Sequence, residues 1–237
     1  MPSALRFHAV RKNYARLSVL QGIDLEVPAS EFCGLIGVNG AGKTTLIKGL
    51  LDLCAIDGGH IEIFGIAHKE TAARARVAYL PERFLPPHYT TGLDFLALMR
   101  TLHAATYDTA QRETVLAALD FEGGALAKPV RSLSKGMAQK LGLAATLLSG
   151  KPLFILDEPM SGLDPKARAL LKQYLQSLRG RGQTLFFSTH MLSDVEVLCD
   201  RIAVLHGGKL RFVGRPAECC TQYSAPTLEQ AYLRCVM

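Results

Sequence analysis

The sequence predicts an α/β protein: a mostly parallel sheet with an N-terminal antiparallel β-subdomain and an inserted α-helical subdomain. Short apolar runs of the kind found in buried parallel strands recur at residues 32–36, 77–80, 151–156 and 184–188. Apolar residues at helical spacing fill the stretch from 91 to about 148. We therefore expect residues 1–237 to form one domain, with a helical subdomain at about residues 83–150.

The N-terminal subdomain is predicted from alternation. Residues 4–10 and 19–27 alternate apolar with polar side chains, and a Gly-Gly pair precedes a third such run at 60–64. This period of two is typical of half-buried antiparallel strands. Tyr14 falls between the first two runs, on what we expect to be a polar loop. An aromatic residue there is either part of the core or a platform on which an adenine ring stacks.

A glycine-rich loop joins the apolar run at 32–36 to the first helical pattern. The loop fits the phosphate-binding pattern G-x-x-x-x-G-K-[ST], which is matched by Gly37, Gly42, Lys43 and Thr44. Leu46, Leu50 and Leu53 then follow at helical spacing, which predicts a helix after the loop. A strand, this loop and a helix are the context that the motif requires, so an accidental match is disfavoured.

The loop residues suit an anionic ligand. We expect glycines at 37, 40 and 42 to take positive φ and turn their N–H groups inward. Such donors, together with a helix N-terminus, favour a polyphosphate. Lys43 would then reach the β- and γ-phosphates, and the hydroxyl of Thr44 would bind Mg²⁺.

The second half of the chain returns to the sheet. The strand at 77–80 is broken by Pro81, which precedes Glu82. After the helical stretch, the strand at 151–156 runs into Asp157-Glu158, and the strand at 184–188 ends at Thr189-His190. Further elements are predicted in sequence order: a helix after Asp164-Pro165, a helix at 192–198, a hairpin at 202–205 and 210–213, and a helix capped by Thr227 and Gln230.

Two adjacent carboxylates at a strand end can divide the work of phosphate hydrolysis. Asp157 would hold Mg²⁺, and Glu158 would face the attacking water. Alone, this pair is weak evidence, because strand ends are often acidic loops. With the phosphate loop upstream, it becomes strong. His190 is either a sensor of the γ-phosphate or a polar residue that happens to end a strand.

Composition narrows the class of protein. A charged fraction of 20% and a hydrophobic fraction of 49% are those of an ordinary globular chain. No apolar run approaches the roughly 18 residues of a membrane span, and we expect a cytosolic protein. The six cysteines lack C-x-x-C spacing and are expected to be reduced and mostly buried. The net charge of +6 comes from scattered basic residues, which favours a mixed solvated surface over nucleic-acid or lipid binding.

Taken together, the motifs resemble those of ATP-binding-cassette (ABC) transporter ATPase subunits along essentially the whole chain. They stand in the order of that family: Tyr14 at the A-loop, Gly37-Val-Asn-Gly-Ala-Gly-Lys-Thr-Thr45 at Walker A, Leu133-Ser-Lys-Gly-Met137 at the signature, Leu153-Phe-Ile-Leu-Asp-Glu158 at Walker B, Ser161-Gly-Leu-Asp164 at the D-loop and Ser188-Thr-His190 at the switch histidine. A phosphate loop alone is shared by many enzymes, whereas this series is specific.

The resemblance implies ATP and Mg²⁺ as ligands and assigns a role to each matched residue. Catalytic roles fall to Glu158, His190 and Lys43, and stacking on adenine falls to Tyr14. Mg²⁺ would be held by Thr44, Asp157 and Glu82. The other nucleotide-binding residues implied are Gly37, Asn39, Gly40, Ala41, Gly42, Thr45, Ser134, Gly136 and Asp164.

The chain departs from the family pattern at three positions. Lys135 and Met137 replace a glycine and the glutamine of the signature LSGGQ, and Glu82 stands where many members have the glutamine of the Q-loop. These variations, and the ending at residues 227–233, resemble the branch that drives export through separate membrane subunits.

The resemblance also implies how such a chain works. Ser134 is remote in sequence from Lys43, and each motif occurs once, so a two-fold dimer would let each signature close the site of the other chain around ATP. The partners implied are membrane-spanning subunits and a second cassette, identical or not, at the cytoplasmic face of the membrane; nucleic acid is not expected. Two alternatives stay open: a soluble cassette acting on ribosomes or DNA, and a regulatory cassette that binds ATP without hydrolysing it.

Overall fold

The computed structural model describes residues 2–237, which form two sheets flanked by helices. The strands are β1 (Ser3–Tyr14), β2 (Leu17–Pro28), β3 (Phe32–Ile36), β4 (Gly58–Ile63), β5 (Ile66–Ala67), β6 (Val77–Leu80), β7 (Leu153–Asp157), β8 (Thr184–Thr189), β9 (Arg201–His206) and β10 (Lys209–Gly214). The helices are α1 (Lys43–Leu50), α2 (Thr71–Arg74), α3 (Gly92–His103), α4 (Thr109–Ala118), α5 (Lys135–Leu147), α6 (Pro165–Ser177), α7 (Leu192–Leu198), α8 (Pro216–Gln222) and α9 (Leu228–Val236).

The larger sheet is mostly parallel, as predicted. Its strand order is β10-β9-β3-β8-β7-β6, and only the pairing of β10 with β9 is antiparallel. Strands β3, β7 and β8 are buried along their whole length, because helices cover both faces of a parallel sheet. The carboxyl ends of β3, β8, β7 and β6 therefore meet at one edge, and the predicted site residues follow these ends.

The predicted antiparallel subdomain is confirmed by a second sheet of order β2-β1-β4-β5. Strands β1 and β2 are longer than the alternation indicated, because register shifts interrupt the period of two. One shift surrounds Ala9, which has a φ of 47°. The polar loop predicted around Tyr14 is wrong: Tyr14 is the last residue of β1 and pairs with Leu17.

The stretch between β6 and β7 is helical, as predicted, and contains α3, α4 and α5 with two short 3₁₀ turns. Phe95, Leu116 and Leu141 from these helices share one buried core with Phe154 and Phe187 of the parallel sheet. The signature segment, Leu133–Met137, lies at the start of α5, and α5 packs directly onto the parallel sheet.

Helix α1 is shorter than the leucine spacing predicted. It ends at Leu50, and Leu53 is 62% exposed. The chain leaves the helix through Asp52, whose φ is 58°, and the N–H of Leu53 then donates to the carbonyl of Lys48. Helices α2 and α8 were not predicted, because α2 has only four residues and α8 buries only Cys219, so neither shows a helical pattern of apolar residues.

The remaining predictions concern the end of the chain, the cysteines and the membrane. Thr227 caps α9 by accepting the N–H of Gln230, but within residues 2–237 the Gln230 side chain does not bond back to Thr227, so only half of the predicted capping box forms. All six cysteines are free, and four of them are buried. Across residues 2–237, no helix combines the length and hydropathy needed to cross a membrane.

Candidate functional site

A cleft of about 580 Å³ lies where the carboxyl ends of the parallel strands meet. The residues that line it are Tyr14, Val19, Val38, Asn39, Gly40, Gly42, Lys43, Thr44, Thr45, Glu82, Glu158, Ser161 and His190. Most were predicted from sequence. Val19, Val38 and Ser161 were not assigned to the site: Val19 lies on strand β2, Val38 lies between two motif positions, and Ser161 was matched to the D-loop without a binding role. The cleft thus collects residues from six segments around the loop that follows β3.

The glycine-rich loop is shaped as predicted at two of three positions. Gly40 and Gly42 have φ values of 83° and 106°, and Gly42 caps α1. The prediction of a positive φ at Gly37 is wrong. A glycine is required there for a steric reason, because a Cβ would meet the carbonyl oxygen of Leu205 at 2.5 Å. Both kinds of glycine bring the backbone close enough to cradle an anion at the helix N-terminus.

Lys43, Glu158 and His190 form a continuous polar chain in the cleft. The Lys43 ammonium donates to the carbonyl of Gly37 at 2.7 Å and lies 3.2 Å from Oε1 of Glu158. Oε2 of Glu158 lies 2.9 Å from Nδ1 of His190. The side chains of Lys43 and Glu158 are about nine-tenths buried, whereas the imidazole of His190 is half exposed. A carboxylate held between a cation and an imidazole is fixed in place yet faces an open cleft.

Ser188 is a site residue whose role sequence reasoning missed. Its buried hydroxyl donates to Oδ1 of Asp157 and accepts the N–H of Glu158 at 2.9 Å. Glu158 has a φ of 48°, and a non-glycine residue in such a conformation stores about 1–3 kcal/mol of strain. Ser188 holds both acidic residues because it sits opposite Asp157 in the β7–β8 pairing. The Ser-Thr-His motif was the available signal, but it does not report this register.

The donor set fits a hard divalent cation. Oδ2 of Asp157 is buried and lacks a hydrogen-bond partner within residues 2–237, so one carboxylate oxygen remains for a ligand. Thr44 and Glu82 add a hydroxyl and a carboxylate to the cleft wall. Burial, with the charges of Asp157 and Glu82, raises the pKa of Tyr79 to about 12. Carboxylate and hydroxyl oxygens are the ligands that suit Mg²⁺.

Tyr14 stands at the rim of the same cleft, with 47% of its surface exposed. Partial burial, followed by a contact with the thiol of Cys54, raises the pKa of its hydroxyl. The phenol also faces Thr45 at the start of α1. An exposed ring beside the phosphate loop is placed to stack on a planar base.

A family profile described as "ABC transporter" matches residues 20–161, more than half of the chain. The chain belongs to the ABC transporter family. An uncharacterized ABC transporter ATP-binding protein of Nostoc sp. is 39% identical over an alignment of 220 residues, and the match covers 88% of this chain and 65% of that protein. The Nod factor export ATP-binding protein I of Paraburkholderia xenovorans is 36% identical, over 91% of this chain and 72% of that protein.

A solved structure agrees with these relatives. The ATP-binding subunit of an ABC transporter superposes with a TM-score of 0.88 and 29% identity, over 98% of this chain and 99% of that one. The α/β cassette fold with its antiparallel and helical additions is thus the fold of the ABC family. The chain spans slightly less than two thirds of the Nostoc relative's length.

In this ABC cassette, six predicted site residues do not line the cleft. Gly37 and Ala41 belong to the glycine-rich loop and Asp157 directly precedes Glu158, whereas Ser134, Gly136 and Asp164 belong to other segments. Ser134 caps α5 and is exposed, and Asp164 caps α6 by accepting the N–H of Ala167 at 2.9 Å. The space beside Gly136 is bounded by the carbonyl of Gly162, which a Cβ would meet at 3.1 Å. The signature and the D-loop therefore adjoin each other, and neither contributes these residues to the cleft wall.

Proposed function

We propose that this chain is the ATP-binding and ATP-hydrolysing subunit of an ABC transporter, which dimerises around two ATP molecules to power export through separate membrane subunits. The observation that carries the proposal is the polar chain from Lys43 through Glu158 to His190 inside the cleft. These three groups supply a phosphate-binding cation, a base and a group that holds the base, which is what hydrolysis of a phosphoanhydride needs.

Binding would begin at the loop and the rim. Backbone N–H groups at 37–45 and the N-terminus of α1 would receive the phosphates, with Asn39, Ala41 and Thr45 completing the loop. Lys43 has three N–H donors, so it can serve a phosphate oxygen while keeping its bond to Gly37. Tyr14 would stack on adenine at the rim. The adenine would add less affinity than the phosphates, because it contacts one exposed ring.

Hydrolysis would depend on Glu158. Its carboxylate faces the cleft and would orient the attacking water and accept its proton, while His190 holds the second oxygen. Ser188 keeps the Glu158 backbone in its strained position, so the base is preorganised. Thr44 and Asp157, with Glu82 nearby, would hold Mg²⁺. When bound, the metal neutralises the charge that develops on the phosphates.

The dimer is supported by the residues that the cleft lacks. Ser134, Gly136 and Asp164 do not line the cleft of their own chain, and Gly136 adjoins Gly162 of the D-loop, so in this proposal they close the site of a second chain. An isologous interface would place each signature against the other chain's phosphates. In this proposal the helical subdomain, at about residues 83–150, carries the signature and moves when ATP binds or leaves.

Export and a membrane partner are proposed from the relatives and the sequence departures. The Paraburkholderia protein is named for the export of Nod factor, and the name applies to that protein. The variant positions Glu82, Lys135 and Met137 are consistent with the same branch. We place the chain at the cytoplasmic face of the membrane, with the spanning subunits docked near Glu82. The residues of an ATP-binding cleft do not identify the exported compound.

Glu158→Gln tests the catalytic assignment. The amide keeps the size of the side chain but cannot accept the proton, so ATP binding should persist while hydrolysis falls about 10²- to 10⁴-fold. The variant should also accumulate as an ATP-bound dimer in sedimentation experiments. Glu31→Gln is the control, because Glu31 pairs with Arg201 at the opposite end of β3. Wild-type hydrolysis by Glu158→Gln would show that the proposal is wrong.

A further inference from the structure

The end of β1 that carries Tyr14 extends beyond its neighbouring strand. The last pair between β1 and β4 is Arg11 with Gly58, and in the part of the chain that the structure describes the next three residues pair only with β2. Even that pairing shifts register between Lys12 and Asn13. Tyr14 thus stands on the tip of a hairpin whose edge toward β4 has no strand beside it.

Asp57, the residue before β4, occupies that edge with its side chain. Its Oδ2 accepts the backbone N–H of Asn13 at 2.6 Å and the Asn13 amide at 3.2 Å. Its own N–H donates to the carbonyl of Arg11 at 2.8 Å. A carboxylate here takes over the hydrogen bonds that a continued strand would supply. Those bonds to Asn13, followed by the Lys12 ammonium, hold the pKa of Asp57 below its usual range.

Lys12 connects this carboxylate to the aromatic ring. Its ammonium lies 3.2 Å from Oδ1 of Asp57 and 5.0 Å from the centre of the Tyr14 ring. Its side chain is only 12% exposed, so the ammonium is partly withdrawn from water, which strengthens its attraction to the ring. The ring is therefore held from the β4 side by Lys12, while its hydroxyl faces Cys54 and Thr45.

We infer that Asp57, Lys12 and Asn13 form a clamp that positions Tyr14 for the adenine of ATP. The three are positioning residues, because they act through the ring and none lines the cleft. The inference rests on the proposed stacking of adenine on Tyr14. Its physical basis is preorganisation: a ring already held in place loses less freedom when the base arrives, so more of the contact energy appears as affinity.

The test compares ATP with inorganic tripolyphosphate, which has the phosphates but no base. Affinities of both are measured by calorimetric titration for wild type, Asp57→Ala, Lys12→Met, Lys12→Arg and Tyr14→Ala. Asp57→Ala and Lys12→Met should each weaken ATP binding about three- to tenfold, the scale of one immobilised side chain, and leave tripolyphosphate binding unchanged. Lys12→Arg keeps a cation over the ring and should restore most of the ATP affinity.

A matched control and a double variant make the result specific. Arg76 lies 3.9 Å over the ring of Phe64, away from the cleft, so Arg76→Met removes a comparable contact and should leave ATP affinity unchanged. In a Tyr14→Ala chain, adding Asp57→Ala should cost nothing further, because the clamp has nothing left to hold.

Four results would overturn the inference. One is an equal loss for tripolyphosphate, which would show general damage to the loop, and another is a full extra loss from Asp57→Ala in the Tyr14→Ala chain. The third is wild-type ATP affinity in Asp57→Ala and Lys12→Met while Tyr14→Ala remains weak, which leaves the proposed stacking intact. If Tyr14→Ala itself binds ATP normally, the stacking fails and the clamp with it.

Discussion

The nucleotide cleft and the signature segment differ in where their polar groups find partners. In the cleft, Lys43, Glu158 and His190 bond to one another and to the loop. In the signature segment, the hydroxyl of Ser134 bonds, among residues 2–237, only to its own helix, and Ser134 remains exposed. One region is therefore organised within a single chain, and the other presents its groups outward. The contrast teaches that complete motifs in one chain need not form one complete site.

Removing the cation of the cleft should have the largest effect on binding. Lys43→Ala removes the charge that would meet the β- and γ-phosphates, and charged hydrogen bonds are worth about 1.5–3 kcal/mol. ATP affinity in calorimetric titration should therefore fall about 10- to 100-fold. Lys48→Ala, at the exposed end of the same helix, serves as the control. Unchanged ATP affinity in Lys43→Ala would contradict the proposed binding of phosphate by Lys43 in the cleft.

Removing the buried hydroxyl should have an intermediate effect, mainly on stability. Ser188→Ala leaves the N–H of Glu158 and Oδ1 of Asp157 without their partner in the core. The free energy of unfolding in denaturant titration should fall by about 1–3 kcal/mol. Ser188→Thr keeps the hydroxyl and should lose less. Ser177→Ala, which removes an exposed hydroxyl, is the control; equal stability of Ser188→Ala and wild type would show that the bridge is not needed.

The smallest effect is expected at the signature. Ser134→Ala removes the cap of α5, which should cost about 0.5–2 kcal/mol of stability. ATP affinity of isolated chains should be unchanged, because Ser134 does not line the cleft of its own chain. Ser132→Ala, two residues away and bonded to Pro129, controls for local disturbance. Weaker ATP binding by Ser134→Ala chains at concentrations too low for dimers would contradict the contrast between the two regions.

Much of the cleft could be predicted because its residues follow buried parallel strands. The apolar runs before Gly37, Asp157 and His190 mark strands, and parallel strands bring their carboxyl ends to one edge. A short motif and a strand end are both local signals. For the same reason, the strand–loop–helix order around Lys43 and the mostly parallel sheet were predicted correctly.

The features that could not be predicted depend on the register between strands and on strand edges that lack a neighbouring strand. The bridge made by Ser188 requires its pairing with Asp157, and no local pattern reports which residues of β7 and β8 face each other. The clamp at Asp57 fills a strand edge that exists only in the folded sheet. The loop predicted at Tyr14 was wrong because bulges in β1 break the alternation that marks a strand.

The central claim is that a working site needs the cleft of one chain and the signature of another, and mixed dimers test it most directly. Ser134→Arg chains and Glu158→Gln chains are each expected to be inactive alone. A mixed dimer has one doubly damaged site and one intact site, which joins the Glu158 of the first chain to the Ser134 of the second. In transporters reconstituted with their membrane subunits, the mixture should hydrolyse ATP faster than either variant alone. No recovery, although mixed dimers form and residue 134 crosslinks to residue 43 within one chain, would contradict the account.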